Sequence, residues 1–178
     1  SAEQGDTVAQ YSLCNIFIDK SLGYFEPQKG VELCELSAAA GFGQALTTLG
    51  WLHITGDAGF STDYEEAYRL NIRAFEAGDG EGATNLGYMY HYGLGVDQSY
   101  REARSWYEKA IANEHHSLQA EFLLAELMLY GRGGKIDEER AGQLYDYVIS
   151  MYDRGETWGI TEDEFEIARK RLRLIRAK

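Results

Sequence analysis

The sequence predicts an all-α fold, a solenoid of four antiparallel helix pairs closed by a C-terminal capping helix. The first observation behind this prediction is a repeat, because the pair Leu86-Gly87 has counterparts at intervals of about 37 residues, a period typical of solenoids. These counterparts are Leu13-Cys14, Leu49-Gly50 and Leu124-Ala125. The second observation is composition: the 178 residues include a single proline and 20 glycines. Most of the glycines fall between helical segments, where they can end helices.

The first helix of each pair, helix A, is clearest in the third repeat, over residues 81–92. Leu86, Met89 and Tyr90 fall on one side of this segment at helical spacing. Gly93 and Gly95 follow, and glycine adopts the left-handed conformation that ends a helix without a steric penalty. The pattern therefore predicts a helix followed by a turn.

The second helix, helix B, begins after Ser99. Ser99 is a predicted N-cap, and Glu102 stands three residues later, as a capping box requires. One face of this helix carries Ala103, Trp106, Tyr107 and Ala110. Thr161 and Glu164 form a second capping-box pattern, which opens an amphipathic helix that departs from the repeat and is interpreted as a cap.

Extended to all four copies, the pattern predicts repeats over about 5–41, 42–78, 79–114 and 115–154 within a single domain spanning 1–178. The predicted helices cover 7–18, 28–40, 44–55, 63–77, 81–92, 99–113, 117–130 and 137–153, and the capping helix about 162–176. Small residues mark the points where helices A and B approach each other. They are Gly50, Gly87 and Ala125 on helices A, and Ala67, Ala103 and Ala141 on helices B.

Composition and charge narrow the function classes. Hydrophobic residues make up 44% and aromatic residues 13%, which excludes a disordered chain despite the net charge of −12. Residues 169–178 hold six of the 17 basic residues and no acidic one, a pattern expected of the solvated face of a last helix. The acidic remainder would repel nucleic acid and anionic lipid. The sequence has no apolar run long enough to span a membrane and shows no signal-peptide pattern, which leaves the compartment open.

The third repeat also resembles a known family. Its pattern is similar to the Sel-1-like repeat, a relative of the tetratricopeptide repeat, with Gly82 in place of the family's alanine. The matching residues are Leu86, Gly87, Tyr90, Gly93, Gly95 and Val96 in the first half, and Ala103, Trp106, Tyr107, Lys109 and Ala110 in the second. The resemblance covers residues 5 to about 154 and is degenerate in the first and fourth repeats. It implies a right-handed superhelix and a non-enzymatic adaptor, often bacterial, that binds proteins on its concave face.

The resemblance places helices A on the concave side. Residues two before, two after and five after each Leu-Gly leucine are therefore predicted to face a partner. They are Tyr11, Asn15, Ile18, Thr47, Trp51, Ile54, Thr84, Tyr88, His91, Phe122, Glu126 and Leu129. Trp51 and Tyr88 occupy equivalent positions and are expected to form part of an aromatic ladder, since Trp and Tyr dominate interface hot spots. The alternative is that these rings pack against neighbouring repeats. Tyr90 and Tyr107 are expected in the core, and Tyr92 and Tyr130 on the surface.

The two cysteines leave two interpretations open. Cys14 takes the small helix A position and Cys34 a helix B position, so the sulfurs could lie within bonding distance. A disulfide would close a loop of about 20 residues and favour a periplasmic or secreted protein over a cytoplasmic one. The alternative is two buried thiols in a cytosolic protein.

Motifs for catalysis, metals and cofactors fail to match. The sequence contains no phosphate-binding G-x-x-x-x-G-K-[ST], no H-E-x-x-H, no G-x-S-x-G and no S-x-x-K. The missing serine motif argues against the β-lactam chemistry linked to some Sel-1-like proteins. His115 and His116 are interpreted as part of a solvated turn. No catalytic residue, metal or cofactor is therefore predicted.

These observations predict a non-catalytic scaffold, most simply a monomer, that binds a peptide or protein surface carrying basic residues. Two alternatives stay open: an inhibitor or immunity protein that neutralises a bacterial toxin, and a structural component of a cell-envelope assembly. Nucleic-acid binding and membrane insertion are not expected.

Overall fold

The computed structural model describes residues 2–113 and 116–177, and within them the chain is helical and contains no strand. The helices are α1 (Ala2–Ile18), α2 (Pro27–Ala39), α3 (Gly43–Thr55), α4 (Tyr64–Glu76), α5 (Gly80–Tyr92), α6 (Tyr100–Ile111), α7 (Leu118–Leu129), α8 (Glu138–Asp153) and α9 (Glu162–Arg176), with a short 3-10 turn at Asp57–Gly59. The predicted all-α fold is confirmed. All predicted helices begin and end within about two residues of these bounds, except that α1 begins at Ala2 rather than at residue 7.

Two compact units divide the chain, Ser1–Leu86 and Gly87–Lys178, and α5 contributes to both. In the first unit α1 packs on α2, α2 on α3 and α3 on α4. In the second, α6 packs on α7, α7 on α8 and α8 on α9. The single domain over residues 1–178 stays a prediction.

One backbone hydrogen bond recurs at the connection inside every helix pair. The amide just before helix B donates to a carbonyl near the end of helix A. The four bonds are Glu26 N to Phe17 O (2.9 Å), Asp63 N to His53 O (2.9 Å), Ser99 N to Tyr90 O (2.9 Å) and Asp137 N to Met128 O (3.1 Å). The first repeat lacks the G-x-G turn but makes the same bond, so its helices are paired like the others.

Side-chain caps fix where the B helices α4, α6 and α8 begin, whereas α2 begins at Pro27 without a side-chain cap. The Ser99 hydroxyl accepts a hydrogen bond from the Glu102 amide at 3.2 Å, as predicted. Asp63 and Asp137 cap α4 and α8 in the same way. The predicted capping box of Thr161 and Glu164 is present in full at the start of α9. Gly93 and Gly95 adopt φ of +71° and +68°, the left-handed turn predicted after α5.

The predicted small residues lie at close helix contacts. A Cβ on Gly87 would lie 2.5 Å from the Tyr107 ring, and one on Gly50 would lie 2.6 Å from Asn71 Nδ2. Tyr107 is fully buried, as expected from its motif position. Asn71 is also fully buried; its amide donates to Ala67 O at 2.8 Å and its oxygen accepts from Asn85 Nδ2 at 2.9 Å.

The core of the first unit is built around the two cysteines. Cys14 of α1 and Cys34 of α2 form a disulfide with their Cα atoms 5.4 Å apart, and both are fully buried. Leucine and alanine side chains from α2, α3 and α4 surround them. The disulfide therefore lies inside the apolar core and joins the two helices of the first pair.

Candidate partner-binding surface

Five of the residues predicted to face a partner are buried within the chain. They are Thr47, Ile54, Thr84, His91 and Phe122, each at most 7% exposed. The Thr47 hydroxyl donates to Asp79 Oδ2 at 2.7 Å, and that of Thr84 to Gly80 O at 3.4 Å. The Phe122 ring makes a T-shaped contact with the Tyr145 ring, with their centroids 6.3 Å apart. Their burial leaves these side chains almost no area for a partner, which corrects the prediction at these positions.

Four predicted residues lie partly exposed in the first unit: Tyr11, Asn15, Ile18 and Trp51. Tyr11 is partly used for packing, since its ring centroid lies 5.2 Å from that of Phe42 and its hydroxyl accepts a hydrogen bond from Thr48 Oγ1 at 3.4 Å. Ile18 also packs against the core of this unit. The aromatic ladder of Trp51 and Tyr88 stays a prediction.

In the second unit, aromatic rings gather at the C-terminal end of α5. The Tyr92 ring lies 4.4 Å from Tyr88 and is stacked on His91 at 4.5 Å. The Tyr100 ring, at the start of α6, lies nearly perpendicular to the His91 ring, with the two centroids 5.4 Å apart. Gln98 holds the turn between them by donating to His91 O at 2.8 Å. Tyr92 is 49% exposed, as expected, so the group reaches the surface.

Arginines extend this aromatic group toward α7 and α9. The exposed Arg132 guanidinium lies 5.5 Å from the Tyr100 ring centroid and 5.9 Å from that of Tyr130. Arg171 of α9 lies 5.3 Å from Tyr130, which is 46% exposed. We call Tyr88, Tyr92, Tyr100, Tyr130 and Arg132 the tyrosine–arginine surface.

Glu126, a predicted partner residue, lies next to this surface but is occupied by the chain itself. Tyr145 donates its hydroxyl hydrogen to Glu126 Oε1, and Arg171 Nε lies 3.4 Å from the same oxygen. Burial and the bond to Glu126 raise the pKa of the Tyr145 hydroxyl. Glu126 therefore joins α7, α8 and α9, and its Oε1 is already used by Tyr145 and Arg171.

His91 is the buried centre of the aromatic group. Burial, with a smaller contribution from the charge of Arg132, lowers the pKa of its imidazole to about 4. The Tyr107 hydroxyl lies 3.4 Å from His91 Nδ1. His91 is thus neutral near pH 7 and supports the tyrosines rather than presenting a charge.

Tyr100, Arg132 and Arg171 were missed by sequence reasoning. The predicted partner positions all lie on A helices, whereas Tyr100 begins a B helix and Arg132 lies in the turn after α7. The motif offers one usable signal: Tyr92 and Tyr130 stand at equivalent places just before the glycine turns of the third and fourth repeats. Exposed tyrosines at equivalent positions indicate that candidate binding residues lie at the connections between helices rather than along the A helices.

Neither a metal-binding cluster nor a membrane-spanning helix is found among the described residues. In 2–113 and 116–177, no three His, Cys, Asp or Glu side chains cluster as a metal ion would require. No helix in the same part of the chain is long and apolar enough to cross a membrane.

Comparison with known proteins decides the family. The Sel1 repeat model matches residues 7–42, 43–79, 80–115 and 118–146, well over half of the chain. The chain belongs to the Sel1 repeat family. Sel1 repeat proteins generally mediate protein–protein interactions.

Curated relatives match part of the Sel1 array. The chitin synthase regulator SKT5 of Saccharomyces cerevisiae is 37% identical over 75 residues, covering 40% of this chain and 11% of the relative. The protein sel-1 homolog 2 of Mus musculus is 36% identical over 83 residues, covering 47% of this chain and 12% of the relative. The matched segment thus spans little more than a tenth of the length of these relatives.

Solved structures of Sel1 proteins share the fold. A Sel1 repeat protein from Oxalobacter formigenes superposes with a TM-score of 0.71 at 22% identity, over 99% of this chain and 76% of that one. A protective antigen of uropathogenic Escherichia coli gives a TM-score of 0.67 at 24% identity, over 97% of this chain and 39% of that one. At these identities the likeness concerns the helical repeat fold.

Proposed function

We propose that this Sel1 repeat protein is a non-catalytic scaffold that binds a peptide or protein segment on the tyrosine–arginine surface of its second unit. The observation that carries the proposal is the exposure of Tyr92 and Tyr130 beside the exposed Arg132. Tyrosine and arginine are enriched in interface hot spots because they offer large contact areas together with hydrogen-bonding groups.

The contacts within this surface support a preorganised site. Tyr92 is held between Tyr88 and His91, and Arg132 is held near Tyr100 and Tyr130. Side chains that already occupy fixed positions lose less conformational entropy when a partner binds. Binding of a partner to this surface therefore costs little side-chain conformational entropy.

The charge of the chain supports a partner that carries basic residues. The net charge of −12 produces a negative field that raises the encounter rate with cationic segments. Tyrosine rings also accept lysine and arginine on their faces. We propose that the partner segment carries basic residues among apolar ones. The negative field of the chain would attract it, and the tyrosine rings would bind it.

The disulfide supports a location in an oxidising compartment, such as the periplasm or the extracellular space. Disulfides persist there and are rare in the reducing cytosol. Cys14 and Cys34 lie in the core of the first unit, where their bond links α1 to α2. The location is a proposal that rests on this bond.

Peptide selection tests the proposed function. A random peptide library is selected on the immobilised protein, and the best peptide is measured by fluorescence anisotropy. The double variant Tyr92→Ala/Tyr130→Ala is expected to raise Kd at least about tenfold, because each ring provides hot-spot area. Tyr24→Ala is the matched control, since Tyr24 is 69% exposed but lies in the first unit, outside the surface.

Circular dichroism shows whether both variants keep the helical fold. Equal affinity of a folded double variant and the wild type would reject the tyrosine–arginine surface as the binding site. A selection that yields no peptide with measurable affinity would contradict the scaffold function itself.

A further inference from the structure

A cavity separate from the tyrosine–arginine surface lies between α6, α7 and α8. It has a volume of about 640 Å³, within the range of small-ligand sites. Its apolar wall is formed by Ile111, Leu124, Met128 and Leu144, and its polar lining includes Glu108, His116, Glu121 and Arg140. None of the five residues of the tyrosine–arginine surface lines this cavity.

Glu121 is a buried carboxyl group at a position where the second and third repeats carry an apolar residue and the first carries Gln10. The equivalent residues in the second and third repeats are Leu46 and Ala83. Glu121 is only 4% exposed. Its Oε1 lies 2.5 Å from His116 Nε2, whereas Oε2 is buried and accepts no hydrogen bond from the residues that the structure describes. A buried oxygen in this state costs free energy, which a bound donor would recover.

His116 fixes the direction of this carboxyl group. Its side chain is 12% exposed, so the predicted solvated turn is wrong for His116; His115 lies outside the described residues. His116 Nδ1 lies 2.5 Å from Asn113 O. Since a carbonyl only accepts, Nδ1 is the donor to Asn113 O, and Nε2 is the ring nitrogen that hydrogen-bonds to Glu121 Oε1. This arrangement occupies Oε1 and leaves Oε2 for another donor.

We propose that the cavity binds a primary ammonium group carried on an aliphatic chain, as in a lysine side chain of the partner. The methylene chain would contact Leu124, Met128 and Leu144, and the ammonium group would donate to Glu121 Oε2. Glu108, at the exposed rim, adds a second negative charge. Arg140 also lines the cavity, and its guanidinium is already hydrogen-bonded, since it donates to Gln143 Oε1 at 3.1 Å.

The proposal deepens the proposed function, on which it rests for the source of the lysine, but the cavity can be tested without a protein partner. The probe is n-hexylammonium chloride, titrated into ¹⁵N-labelled full chain and followed by NMR chemical shifts. Saturable shifts are expected at residues of the cavity, with Kd in the millimolar range. Hexan-1-ol, of similar length but uncharged, is expected to bind at least about fivefold more weakly.

Variants assign the binding to the buried carboxyl group. Glu121→Gln is expected to weaken n-hexylammonium binding at least about tenfold, because it removes the charged acceptor. Glu139→Gln, at an exposed position in the first turn of α8, is the matched control and is expected to bind as the wild type does.

Three results would overturn the proposal: no saturable shift with n-hexylammonium, equal affinity for hexan-1-ol, or full affinity in a folded Glu121→Gln variant. If Glu121→Gln does not fold, the comparison of the two probes on the wild type still decides. Failure here, with intact peptide binding at the tyrosine–arginine surface, would reject the ammonium site alone. Loss of peptide binding with intact ammonium binding would reject only the proposed function.

Discussion

At the residue scale, the close approach of α5 and α6 depends on a glycine, which has no side chain. Gly87 of α5 faces the buried ring of Tyr107 on α6, and a Cβ there would lie 2.5 Å from both Cδ1 and Cε1. Tyr107 is enclosed on all sides, so its ring cannot move aside without disturbing the neighbouring helices. The contact makes glycine necessary for packing rather than for backbone conformation.

The substitution Gly87→Ala is therefore expected to destabilise the protein by about 1 to 3 kcal/mol, the usual cost of overpacking a core. Gly142→Ala in α8 is the control, because its Cβ would meet Ile175 and Leu172 at ordinary distances of 3.7 and 3.8 Å. There the gain in helix propensity is expected to stabilise by up to about 1 kcal/mol. Urea denaturation followed by circular dichroism measures both. Equal effects of the two substitutions would contradict the packing argument.

Which side chains of the A helices are exposed could be predicted only in part. The repeat pattern identifies the leucine and the small residue after it in each A helix, and the structure buries both in the second, third and fourth repeats, whereas Leu13 of the first repeat is 44% exposed. It does not show that the opposite side is also covered. In α7, residues as far apart around the helix as Phe122 and Leu124 are both buried, so this helix is enclosed on most of its circumference. Thr84 and Phe122 were assigned to the surface because a periodic pattern in one helix does not reveal how many neighbours surround it.

At the element scale, the first helix pair depends on a covalent link and the last pair on a cap. The disulfide joins α1 and α2 in the first repeat, which lacks the G-x-G turn of the family pattern. At the other end, α9 covers α8 with the buried residues Phe165, Ala168 and Leu172, and the Phe165 ring is stacked on Tyr152 at 3.9 Å. Lys170, Arg173 and Arg176 of α9 remain exposed, as predicted for the solvated face of a last helix.

Removal of the disulfide is expected to destabilise the first unit. A link that closes a loop of 20 residues contributes about 3 kcal/mol in the chain-entropy model, which corresponds to a fall in Tm of roughly 6 to 12 °C. Thermal denaturation of the wild type and of Cys14→Ser/Cys34→Ser measures this difference. A reductant should lower Tm of the wild type and leave that of the double variant unchanged. Two titratable thiols in the unfolded, unreduced protein would contradict the link.

At the scale of the whole molecule, fold and function are separable in the sequence. Residues that recur from repeat to repeat determine helix packing, so the fold could be predicted from their spacing alone. Residues that differ between repeats, such as Glu121 in place of Leu46 and Ala83, are the ones on which the proposed ammonium site depends. Their surroundings come from three helices at once, and no single-sequence pattern shows that Glu121 is buried or that His116 contacts it.

The net charge of −12 belongs to the whole chain, and its contribution to binding is expected to depend on salt. The screening length is about 30 Å at 0.01 M salt and about 3 Å at 1 M, so charges spread over the surface attract a basic peptide only at low salt. For the selected peptide, Kd is expected to rise at least about tenfold over this range. A peptide with its lysines replaced by glutamines is the control and should show a much smaller change. If the basic peptide binds equally well at both salt concentrations, attraction by the net charge is excluded and the tyrosine–arginine contacts alone account for the affinity.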